Sequence, residues 1–165
     1  RHKSLLEETR DVEHELSPLE VKAREKGLAY VELDGEVGIV GNGAGLVMAT
    51  LDMIQDYGGR PANFCDVGGG ASAERIAAAL EIVLSNPNVK VLFLNIMGGI
   101  TRCDDVARGL LDVRKRLGLT RPTVIRLVGT NEEEGRKILQ DAGIPSLETM
   151  EDAASRAVEA VKGAM

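Results

Sequence analysis

Four glycine-bearing turns constrain this chain most, because each separates a strand-like run from a helix-like run. They are Gly41-Asn42-Gly43-Ala44-Gly45, Gly68-Gly69-Gly70, Gly98-Gly99-Ile100-Thr101 and Gly129-Thr130-Asn131. Around them the pattern alternates. Strands are predicted at Val37–Val40, Ala62–Val67, Val89–Met97 and Thr123–Val128, and helices at Ala44–Tyr57, Ala73–Leu84, Thr101–Leu117, Glu132–Ala142 and Met150–Val161. A short strand is also predicted near Ser146–Leu147. Alternation of this kind specifies an α/β fold, a flavodoxin-like doubly wound parallel sheet. The almost wholly apolar run Val89–Met97 marks a central strand covered on both faces.

Two features lie outside that alternation. Asp34-Gly35 between Ala29–Leu33 and Val37–Val40 is a hairpin signal, so an early β-hairpin is expected as an extra edge. Residues 1–27 are charged, hold both histidines (His2 and His14) and lack glycine until Gly27. Ser17-Pro18-Leu19-Glu20 reads as a capping box with proline in the first turn. The expectation is an N-terminal helical connector over 1–27 and one α/β domain over 28–165. The opening Arg1-His2-Lys3-Ser4 is unlike a translation start, and the chain is expected to be a piece of something longer.

In a parallel sheet the strand-to-helix turns share the carboxyl edge, where ligands bind. Glycine allows close backbone approach, and each following helix directs amides and partial positive charge at that edge. An anionic ligand is therefore expected there. Asn42 suits either a helix N-cap or an amide reaching into the cleft for a carboxylate or phosphoryl oxygen. Thr101 and Asp104 suggest a capping box behind Gly98-Gly99, with Arg102 beside it. Gly41-x-Gly43-x-Gly45 departs from the dinucleotide spacing GxGxxG, and Asp66 runs straight into three glycines, which argues against a nicotinamide cofactor.

Composition removes other classes. With 20 Lys+Arg against 26 Asp+Glu the net charge is −6, and aromatics are 2% of residues. Neither nucleic acid nor an anionic membrane is the expected partner. Cys65 and Cys103 are too few and too far apart for a metal or CxxC motif, and free thiols fit a reducing compartment. Cys103 begins a helix, where a thiolate is favoured, but no histidine between 28 and 165 can serve it as a base. A small buried hydrophobe is the simpler reading. No catalytic residue and no metal ligand are assigned.

Four separated motifs then agree in order and spacing: Asn42-Gly43-Ala44-Gly45-Leu46, Gly58-Gly59-Arg60-Pro61-Ala62-Asn63-Phe64, Asp66-Val67-Gly68-Gly69-Gly70-Ala71 and Asn95 through Asp104. Together they closely resemble the carboxyl-terminal domain of succinate–CoA ligase β subunits. The resemblance implies a flavodoxin-like CoA-ligase domain that packs on an α subunit carrying a phosphohistidine and CoA. It implies substrate-binding roles for Asn42, Gly99, Ile100 and Thr101, with Gly98 and Arg102 as phosphate-cradle candidates. The substrates are then succinate and phosphate. Magnesium and ATP or GTP fall to an ATP-grasp domain preceding residue 27, and the expected setting is the cytoplasm, with the mitochondrial matrix as alternative. Malate–CoA ligase and ATP-citrate lyase share these motifs, and a non-catalytic docking module is the reading from a different class.

Overall fold

The computed structural model describes residues 17–98, 101–117, 121–144 and 146–164. Its elements are α1 (Pro18–Glu25), β1 (Ala29–Glu32), β2 (Val37–Gly41), α2 (Ala44–Asp56), β3 (Asn63–Asp66), α3 (Ala73–Leu84), β4 (Val91–Gly98), α4 (Cys103–Leu117), β5 (Thr123–Gly129), α5 (Glu132–Asp141) and α6 (Met150–Ala164). The alternation predicted from residue 37 onward is present throughout. Ser146 adds only an isolated parallel bridge to Ile125. Residues 1–16 of the expected connector, with His2 and His14, lie outside the described residues.

The five strands form one sheet in the order β1-β3-β2-β4-β5. β3, β2, β4 and β5 run parallel, and β1 is antiparallel to β3. The four parallel strands thus follow the doubly wound flavodoxin-like order, with the chain reversing its direction of travel between β2 and β4. β4 shows why. From Val91 to Ile96 it is wholly buried, with Val91 and Phe93 packing on the α2/α6 side and Leu92, Leu94 and Ile96 on the α3/α4 side. Helices cover both faces, so the strand has no polar face to present.

The early hairpin does not form. β3 lies between β1 and β2, with Ala29 opposite Asp66 and Glu32 opposite Asn63. The Asp34-Gly35 turn instead packs on residues 60–62: Gly35 N–H donates to Pro61 O at 3.0 Å and Glu36 N–H to Arg60 O at 2.9 Å. A Cβ on Gly35 would sit 2.0 Å from the Arg60 carbonyl oxygen, so close backbone approach explains this glycine. The physical reason is burial. All five residues of β2 are buried and need a neighbour on each side, whereas β1, exposed at Ala29 and Val31, suits the edge.

The α1 capping box is present as expected: Ser17 Oγ accepts Glu20 N–H at 3.1 Å and Glu20 Oε1 accepts Ser17 N–H at 2.9 Å. Glu20 Oε2 also accepts Glu32 N–H at 2.8 Å, tying the helix to the end of β1. On the same side of the sheet, α5 packs closely on the start of α4. A Cβ on Gly135 would lie 2.7 Å from the Cys103 carbonyl oxygen. Gly135→Ala is therefore expected to lower stability by about 1–3 kcal/mol, because backbone must move to admit the methyl group. Urea unfolding measures it as a lower midpoint with unchanged slope; an unaltered midpoint would show that α4 and α5 are not locked together.

Candidate functional site

Strand register places the four glycine turns on one edge. Gly41, the last residue of β2, pairs with Asp66 at the end of β3 and with Asn95 on β4, and Gly98 pairs with Gly129. The rim so formed is closed by polar side chains rather than by apolar ones.

Asn42 spans the crevice where the strand order reverses. Its Nδ2 donates to Met97 O at 2.7 Å and to Thr101 Oγ1 at 3.3 Å, while Oδ1 accepts Met97 N–H at 3.0 Å. This two-way bond to Met97 continues the β2–β4 ladder by one side chain. Asn42 is thus not the N-cap of α2; that position is Gly43, at φ 113° and without a side-chain cap bond. Asp66 joins the next pair of turns: its Oδ1 accepts Gly43 N–H at 2.7 Å and Gly68 N–H at 2.8 Å. Thr101 completes the lacing, its Oγ1 accepting Gly70 N–H at 3.0 Å.

Thr101 is 1% exposed, so it lies beneath the rim with its hydroxyl engaged. The box anticipated between Thr101 and Asp104 requires a helix beginning at residue 102, and α4 begins at Cys103, whose N–H donates to Thr130 O at 2.9 Å. Asp104, also 1% exposed, receives Arg102 Nε and Nη2 at 3.2 and 3.1 Å, Arg108 Nη1 at 2.8 Å and Asn131 Nδ2 at 3.2 Å. Burial pushes its carboxyl up, but these donors outweigh burial and hold it well below the usual carboxylate range. Arg102 is half-exposed and carries Asp104 as its counter-ion. Gly99 and Ile100 lie outside the described residues.

The helix ends at the rim are not equivalent. α3 is capped by Ser72 and carries Glu74 in its first turn. α4 carries Asp104 and Asp105 there, and α5 carries Glu132, Glu133 and Glu134. α2 alone among these begins with neither a side-chain cap nor an acidic residue, and Ala44 and Gly45 at its start are exposed. The first-turn amides of α2 are thus the part of the rim best suited to an oxyanion.

Both cysteines are buried and free. Burial pushes the Cys103 thiol up to about 11 and the Cys65 thiol up to about 12, with Glu132 and Asp66 respectively adding to the effect. They pack as small apolar side chains, not nucleophiles. Among the described residues no group of three or more His, Cys, Asp or Glu is placed to hold a metal ion. The residues that sequence reasoning did not single out are Asp66, as organiser of two turns, and Asn131. The signal for Asp66 is its position, the one carboxylate between Asn63 and Ser72, at the end of a strand and followed by three glycines.

The model of the CoA-ligase family matches residues 40–161. The chain is 61% identical over 153 residues to the succinate–CoA ligase [ADP-forming] β subunit of Rubrobacter xylanophilus, an alignment covering 91% of this chain and 40% of that protein. It is 55% identical over 152 residues to the subunit of the same description from Ignicoccus hospitalis, covering 92% of this chain and 40% of that protein. The chain thus spans about two-fifths of these curated relatives. Among solved structures, the ATP citrate lyase of Methanothrix soehngenii in complex with citrate and coenzyme A shares the fold at TM-score 0.74 and 23% identity, covering 87% of this chain and 43% of that one.

The buried Asp104 cluster has a pH signature. A carboxyl whose folded value is depressed stabilises the fold fully above its unfolded value of about 3.9, and this is lost as pH falls toward the folded value. Asp104→Asn is expected to cost about 1–3 kcal/mol near neutrality. The gap between the two proteins in unfolding free energy should narrow as pH drops below about 4. A gap that stays constant into strong acid would mean that shape, not charge, sets the cost.

Proposed function

The chain belongs to the CoA-ligase family, and on that premise we propose that it is the substrate-cradling and α-subunit-docking domain of a succinate–CoA ligase β subunit. The whole enzyme would interconvert succinate, CoA and a nucleoside triphosphate with succinyl-CoA, the diphosphate and phosphate. In this reading residues 1–27 connect to an ATP-grasp domain that holds magnesium and the nucleotide, while CoA and the phosphohistidine belong to the α subunit. The observation that carries the proposal is the laced rim, whose exposed α2 amides stand beside Asn42 at the crevice between β2 and β4.

The chemistry asked of this chain is electrostatic. A helix N-terminus favours a nearby phosphate by about 0.3–2 kcal/mol, the larger value applying where water is excluded. A phosphoryl group presented by a partner subunit would meet the turn between β4 and α4 at Gly98 and Thr101, with Arg102 next in the chain, and the open end of α2 across the crevice. Arg102 already has Asp104 as counter-ion, so it would contribute a shielded charge and hydrogen bonds rather than a bare cation. Asn42 has both Nδ2 protons engaged, and Thr101 its hydroxyl. Asn42 therefore acts by holding the α2 turn against Met97 and Thr101, and Thr101 by way of its main chain. No proton transfer is assigned to this chain.

Two experiments test the reading. Mixed with a succinate–CoA ligase α subunit, the 165-residue chain should form a stable heteromer and give no turnover; absence of binding would sink the docking role. In the full-length β subunit assembled with α, Asn42→Ala should raise KM for succinate about tenfold, because the α2 turn is no longer held against Met97 and Thr101. KM for the nucleotide should stay at the parent value, and equal changes in both would point to general loosening of the domain.

A further inference from the structure

At the amino-terminal end of β5, on the sheet edge opposite the glycine rim, there is a cavity of about 290 Å3 into which three arginines from separate elements converge. Arg114 comes from the last turns of α4, Arg121 from the approach to β5 and Arg156 from α6. β5 runs from Thr123 to Gly129, so the cavity lies about 20 Å from the rim at ~3.3 Å per residue.

Two of the three guanidiniums are held by hydrogen bonds, and Arg156 is exposed. Arg114 Nη1 donates to Thr123 Oγ1 at 3.3 Å, and Arg121 Nη1 donates to the Leu84 carbonyl oxygen. Both acceptors are uncharged. No carboxylate lines the cavity among the described residues, and none of the three arginines pairs with a described carboxylate. Arg60, Arg102, Arg108, Arg116 and Arg136 do pair, at 2.8–3.5 Å. Three arginines around one cavity, none of them in an ion pair with a described carboxylate, stand out in a chain of net charge −6; Arg156 also borders a neighbouring cleft that holds Asp152 and Glu159. Val124, Ile144 and Leu147 supply the apolar part of its lining, beside Pro122, Thr123 and Gly143.

We propose that this cavity binds a small polycarboxylate, its carboxylate groups on Arg114, Arg121 and Arg156 and its carbon skeleton on Val124, Ile144 and Leu147. Guanidinium groups match carboxylates in a two-pronged geometry, and the apolar lining favours a carbon-based anion over a bare inorganic one. The site is separate from the rim, at the other end of β5, and its occupancy is independent of the proposed ligase reaction.

The probe is tricarballylate, with inorganic phosphate as the second arm, both at constant ionic strength against the 165-residue chain. Tricarballylate should raise Tm saturably and shift the methyl resonances of Val124, Ile144 and Leu147, while leaving Ala44 unshifted. Arg156 is exposed, so Arg156→Gln preserves the fold; it and Arg114→Gln should each weaken binding about tenfold, the loss of one charge-assisted contact. Phosphate should bind more weakly. A non-saturating rise shared by the variants, phosphate binding as tightly as tricarballylate, or shifts confined to the glycine rim would each overturn the assignment. So would concentration-dependent self-association abolished by Arg156→Gln, which would make the cavity a surface between copies of the chain.

Discussion

A parallel sheet ends in loops whose main-chain amides and carbonyls have no ladder partner, and something must satisfy them. Here three side chains do so at once: Asn42 against Met97, Asp66 against Gly43 and Gly68, and Thr101 against Gly70. Each reaches from one turn to another, so the turns after β2, β3 and β4 are one hydrogen-bonded unit and not three independent loops. A hydrogen bond of this kind is worth about 0.5–1.5 kcal/mol net, and leaving a buried amide without one costs more. The spacing of the helix starts around the crevice follows from this lacing, and so does any site built there.

The same unit sorts charge. Amides that already have an internal acceptor, such as those of Gly43, Gly68 and Gly70, contribute geometry. Those of Ala44 and Gly45 at the start of α2 have no side-chain cap and no acidic residue in their own turn, with Asp66 engaged one amide earlier on Gly43, and they contribute potential. α4 is arranged differently, with the carboxylate of Asp104 buried in its first turn and surrounded by Arg102, Arg108 and Asn131. That cluster braces the turn after β5 against the start of α4. A net charge of −6 therefore coexists with a rim suited to oxyanions, because the first turn of α2 holds no acidic residue while those of α3, α4 and α5 do.

Family membership and this geometry support each other without being the same argument. The CoA-ligase match covers residues 40–161, which begin at the end of β2 and include every turn of the rim. The likeness to ATP citrate lyase at 23% identity speaks to the fold alone. The geometry itself is a preformed polar edge on a sheet covered on both faces, with β4 wholly buried behind it from Val91 to Ile96.

Local pattern was enough for most of the architecture. Periodicity and the placement of glycines located every strand and helix from residue 37 onward, and Ser17 with Glu20 located the start of α1, since such signals depend only on near neighbours along the chain. What depended on distant segments was not legible. Asp34-Gly35 is a sound hairpin signal, yet β2 is buried on both faces and takes β3 beside it, leaving β1 to pair with β3 instead. Asn42 was open between cap and ligand until its carboxamide met Met97, 55 residues away. Arg114, Arg121 and Arg156 are unremarkable as separate residues, and only the packing of α4, β5 and α6 brings them to one cavity. The sequence by itself determined which stretches are strands and helices and that glycines cluster at their junctions; tertiary structure alone decided which strand neighbours which and which polar groups meet, because burial and hydrogen-bond satisfaction are settled between residues far apart in the chain.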